Sequence, residues 1–140
     1  MRPVESGLAD YFPCSFSDDP LFGEKSVHIF QQHPEFANKK AIRIMKNDLK
    51  FSQTAINPEH HHVGEIWSGA FWEIRQRLGK ESADKLLVST WMAMLPLKRR
   101  GNFNGDFIRR LVRAARSLED GDRSDEIAIQ TTRVSVIPFA

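Results

Sequence analysis

Cysteine is nearly missing from this sequence: Cys14 is the single one in 140 residues, so an intrachain disulfide framework is excluded and the fold must rest on its own core. No apolar run approaches the roughly 18 residues of a membrane span. The N-terminus Met1-Arg2-Pro3-Val4-Glu5 lacks the charged-then-apolar layout of a secretory leader, and the expectation from it is a cytoplasmic chain with no membrane partner. An excess of one charge is also lacking, since 20 Lys and Arg oppose 18 Asp and Glu. A net charge of +2 implies neither nucleic acid nor an anionic surface by itself. There is no internal repeat, and no low-complexity tract beyond His60-His61-His62.

What is present is the profile of one ordinary soluble domain spanning residues 1–140, with 41% apolar and 10% aromatic residues. A chain of this length buries roughly 68% of its unfolded surface, enough for one core without staples. Leu8, Tyr11, Phe12 and Phe16 recur at helical spacing and predict a helix over residues 5–16, ending near Pro13 or shortly beyond. Ser17-Asp18-Asp19-Pro20 and Gly23 then read as a turn. Residues 39–50 are basic and patchily apolar, compatible with a short helix or an irregular segment.

The clearest helix begins after Pro58 and the His60-His61-His62 run, which reads as a polar loop capping it, with Ile66, Trp67, Ala70, Phe71, Ile74 and Leu78 recurring every three or four residues up to Gly79. A second opens with Ser82 as N-cap and carries Leu86, Leu87, Thr90, Trp91, Met94 and Leu95 up to Pro96. After the basic Lys98-Arg99-Arg100 loop, Asn104 is the expected cap of a third, with Phe107, Ile108, Leu111, Val112, Ala115 and Leu118 facing inward. The tail, residues 121–140, contains a β-branched run from Ile127 to Ile137 whose composition argues for a strand. No obvious second strand is available to pair with it, so an extended tail and a terminal helix forced by packing both remain open.

Five histidines invite a metal reading, because a zinc site needs three or four convergent donors. His28 and His33 do not have the four-residue spacing that puts two ligands on one helical face, and the His-Glu-x-x-His motif is missing from the chain. Three consecutive histidines, residues 60–62, can aim at most two side chains at one centre. Glu65, expected in the first turn of its helix, is favoured there by the helix dipole alone. Cys14 has large apolar neighbours and no adjacent cation to lower its pKa, and reads as core. Arg109, Arg110, Arg113 and Arg116 form the only basic patch. It lacks interleaved aromatics and is followed by acidic Glu119-Asp120-Asp122-Asp125-Glu126, which favours a solvated face or an anionic protein over nucleic acid.

Four segments in order carry a resemblance: Gly7-Leu8-Ala9-Asp10-Tyr11-Phe12, Ser17-Asp18-Asp19-Pro20, Asn47-Asp48-Leu49, and His61-His62-Val63-Gly64-Glu65-Ile66-Trp67-Ser68-Gly69-Ala70-Phe71-Trp72-Glu73-Ile74-Arg75. Together they resemble the C-terminal half of gluzincin metallopeptidases, the thermolysin and fungalysin group, over about residues 5–120. The His-x-x-Gly-Glu-x-Trp run is the most specific part. The resemblance implies a mainly α fold, a small helical lobe with an extended or unsettled tail at 121–140. In the family the N-terminal half supplies the His-Glu-x-x-His helix, with two zinc ligands and the general base, and a Glu on the next helix is the third ligand.

By resemblance that third ligand falls on Ser6, just ahead of Gly7 and Asp10. Glu5 stands one residue early, about 100° around a helix, and replaces the ligand only if the helix start is irregular. Asp10 matches the carboxylate that orients a zinc-bound histidine, and His61 matches the histidine that hydrogen-bonds the oxyanion of the tetrahedral intermediate. Glu65 belongs to the same cleft wall. Without the His-Glu-x-x-His helix the chain has no complete zinc site and no means of activating water. The implied function is a zinc metallopeptidase-like lobe, catalytically incomplete alone, whose partner is a His-Glu-x-x-His-bearing lobe; zinc belongs to the complete fold, and the location is extracellular if the chain is a fragment of a longer peptidase. The alternative is a non-catalytic helical interaction module. It predicts an exposed apolar patch around Trp72 or Phe22, with a homodimer or a stable protein partner.

Overall fold

Pro3 opens the first helix because its fixed φ suits the first turn and its missing N–H costs nothing there. Arg2, extended at φ −79° and ψ 150°, precedes it, and Glu5 Oε2 accepts the Arg2 backbone N–H at 2.9 Å. This helix, α1 (Pro3–Ser17), continues through Pro13 and stops where Asp18 turns left-handed at φ 55°. The structure is a computed structural model that describes residues 2–50, 60–95 and 102–135, without the side chains of residues 60–62 and 135.

Segment 39–50 is irregular rather than helical, apart from a two-residue strand. β1 (Leu21–Phe22) pairs antiparallel with β2 (Arg43–Ile44), Leu21 opposite Ile44 and Phe22 opposite Arg43. α2 (His60–Leu78) and α3 (Lys80–Met94) are separated by one residue, Gly79. Its φ of 86° is a conformation glycine adopts at little cost. The Gly79 N–H closes α2 on the Arg75 carbonyl at 2.9 Å, while its own carbonyl accepts from Ala83 at 3.0 Å. Gly79 thus starts α3 as well as ending α2, and the expected Ser82 cap is corrected to a start at Lys80. Similarly α4 (Phe103–Ala114) is capped by Asn102, whose Oδ1 accepts the Gly105 N–H at 2.9 Å. Asn104 does not cap it.

The tail is the largest correction. From Ser124 to Ser135 it forms α5, neither a strand nor an extended segment. Asp122 accepts both the backbone N–H and the hydroxyl of Ser124, at 2.9 and 2.6 Å, and Asp125 and Glu126 occupy the first turn, where carboxylates favour helix. Ile127, Gln130, Thr131 and Val134 are buried at i, i+3, i+4 and i+7, on a face packed against α2 and α4. Packing along that stripe outweighs the modest β preference of the individual residues. Residues 136 and 137 of the expected strand, and the three that follow, lie outside the described residues.

α2 is the axis of the molecule, with α1, α3 and α5 around it and α4 bridging α3 and α5. Trp67, Phe71 and Phe107 meet at ring-centroid distances of 5.8, 6.1 and 6.1 Å. Such tilted and edge-on pairs add about 0.5–1.5 kcal/mol each beyond the area they bury.

Candidate functional site

Where α1 crosses α2 the two backbones touch. A Cβ on Gly7 would lie 2.6 Å from Trp67 Cβ, and one on Gly64 would lie 2.6 Å from Ser6 Oγ. Only glycine at both positions lets the helices approach this closely. One turn further along α1, buried Asp10 forms a two-point ion pair with Arg43 of β2: the guanidinium Nε donates to Oδ2 and Nη2 to Oδ1. Arg43 also stacks over Phe22, 4.9 Å from its centroid. Two of its five N–H donors are engaged by Asp10.

Glu65 sits in the second turn of α2, since the helix begins at His60 and has no acidic residue in its first turn. Its dipole assignment is therefore corrected; Oε2 accepts the Ile44 N–H at 2.9 Å and ties β2 to α2. Asn47 completes that tie, its Nδ2 donating to the Ile44 carbonyl at 2.7 Å and to the Glu65 carbonyl at 3.2 Å. Arg133 of α5 reaches the Asn47 carbonyl at 2.7 Å.

The donors among the described residues do not fit a zinc ion. Ser6, where the resemblance would put a ligand, carries no carboxylate, Glu5 is folded back onto the start of its own helix, and Asp10 is paired with Arg43. Among the described residues no group of three or more His, Cys, Asp or Glu converges on one point. His61 lies in the first turn of α2, and its side chain is outside the described residues. His28 and His33 are both exposed on the loop between β1 and β2.

A second polar cluster joins three helices and was not legible in the sequence. Asp84 of α3 accepts from Tyr11 Oη at 2.7 Å, from Ser15 Oγ at 2.8 and 3.0 Å, and from Lys80 Nζ at 2.9 Å. Buried Arg75 donates to Ser15 Oγ at 2.9 Å and to Asp18 at 2.7 Å, and its guanidinium lies 4.6 Å from the Trp72 ring centroid. Burial pushes the Asp84 carboxyl up, but hydrogen bonds from Tyr11, Lys80 and Ser15 more than offset it and leave it below its ordinary value. The Tyr11 phenol is raised, chiefly by burial. Burial also pushes the Cys14 thiol up to about 11, which keeps it a protonated core group. With both Asp84 oxygens occupied, the cluster is an interhelical strut. The one signal for it in the sequence is Arg75 itself, a charge on the apolar stripe between Phe71 and Leu78.

The basic patch lies along α4, with Arg116 in the turn just past its end. Arg109 pairs with Asp106, Arg110 is half-buried, and Arg113 and Arg116 are exposed. The Lys98-Arg99-Arg100 part lies outside the described residues. Trp72 is 4% exposed and cannot centre a surface patch, and Phe22 is half-buried under Arg43. An exposed apolar line runs instead along α3 to the residue just past its end, where Val88, Met92 and Leu95 are 45, 57 and 40% exposed. Through Val88 it meets a groove of about 710 Å³ between α3 and the end of α4, lined also by Leu86, Ala114, Leu118, Glu81 and Glu119. No helix among the described residues is long and apolar enough to cross a membrane.

No protein-family model, no curated protein and no solved structure matches the chain.

Proposed function

We propose that this chain is the helical lobe of a gluzincin-like zinc peptidase, catalytically incomplete alone and active in peptide hydrolysis only when a second lobe brings the His-Glu-x-x-His helix. What supports the reading is the convergence of segments far apart in sequence. Ser6 and Gly7 touch Gly64 and Trp67, and Asn47 bonds to Glu65, so three of the four pieces that carry the resemblance meet at one junction. The fourth, through Asp18, is bonded to Arg75 at the far end of the same helix pair. Under this reading His61 is the donor to the developing oxyanion, Asp10 and Arg43 shape the adjoining wall, and zinc and general base come with the missing lobe. Elemental analysis of the chain after dialysis against micromolar zinc tests the incompleteness. The expectation is far less than one zinc per chain and no peptide hydrolysis, while stoichiometric zinc with hydrolysis overturns it.

The second reading is a non-catalytic helical module that binds a protein. The Val88, Met92 and Leu95 line favours it, because a contiguous exposed apolar patch is the feature by which such a surface is recognised.

A further inference from the structure

We draw no further inference here: the strongest candidate, the apolar stripe of Val88, Met92 and Leu95 on α3 with the groove it runs into, carries nothing because its neighbouring charges Glu81 and Asp84 are already paired with Lys85 and Lys80 and nothing in the structure shows what covers it.

Discussion

Arg75 of α2 lies across Ser15 of α1, with Nε 2.9 Å from the hydroxyl and Nη2 3.3 Å from the carbonyl of the same residue. Ser15 in turn donates to Asp84, so one hydroxyl links three helices. Removing it leaves a buried guanidinium and a carboxylate each short of a partner, and Ser15→Ala should cost about 1–3 kcal/mol. Urea unfolding should show a lower midpoint at unchanged slope. Ser15→Ala and Asp84→Asn should combine less than additively, since they break the same bonds.

Acid should weaken the same strut. The folded Asp84 carboxyl titrates below its ordinary value, so its stabilisation is complete above the unfolded carboxylate pKa of about 3.9 and is lost as pH falls through the lower folded value. Unfolding free energy measured between pH 6 and 2 should drop more gently for Asp84→Asn than for the wild type. Equal slopes would mean that Asp84 contributes nothing to acid stability.

At the alkaline end the signs reverse. Cys14 is raised to about 11 against about 8.5 in an unfolded chain, so its contribution is full below the unfolded value and fades as pH climbs to the folded one. Tyr11, also raised by burial, adds to the loss above about pH 10. Stability of the wild type should fall across this window, with a shallower fall in Cys14→Ala.

The glycine crossing is open to direct test. Gly7→Ala brings a Cβ against Trp67 Cβ, the Gly64 carbonyl at 3.0 Å and the Ser68 nitrogen at 3.2 Å, none of them the free end of a side chain, and should cost about 1–3 kcal/mol through overpacking. Gly64→Ala meets mainly Ser6, so adding Ser6→Gly should recover part of its loss. Thermal midpoints of the single and paired variants decide it.

The α3 stripe separates the two functional readings. Replacing Met92, 57% exposed, by Glu should move stability by no more than about 0.5 kcal/mol. If the chain is an interaction module, sedimentation should show an assembly in the wild type that this variant loses; a wild type that stays monomeric removes the support for that reading in a self-associating form.

The helices on either side of Gly79 were legible because their apolar residues recur at the helical period, and the Phe107 to Leu111 face of α4 was legible for the same reason. The expected caps Ser82 and Asn104 fall three and two residues late: Gly79 and Asn102 act through backbone geometry and a side-chain bond that composition does not mark. The tail misled because Ile127, Thr131 and Val134 satisfy a strand by type and a helix by spacing, and only their burial against α2 and α4 decides between the two. The Asp10–Arg43 and Arg75–Ser15 contacts join residues 33 and 60 positions apart, and no local pattern announces such a pairing.

The decisive experiment combines this chain with a separately produced His-Glu-x-x-His-bearing lobe of a thermolysin-like peptidase and reads association by sedimentation and peptide hydrolysis on the same sample. The two lobes should associate, hydrolysis should require both, and His61→Ala should lower it by roughly 10²-fold or more without dispersing the complex. Lobes that associate yet hydrolyse nothing, or activity indifferent to His61→Ala, would contradict the proposed function.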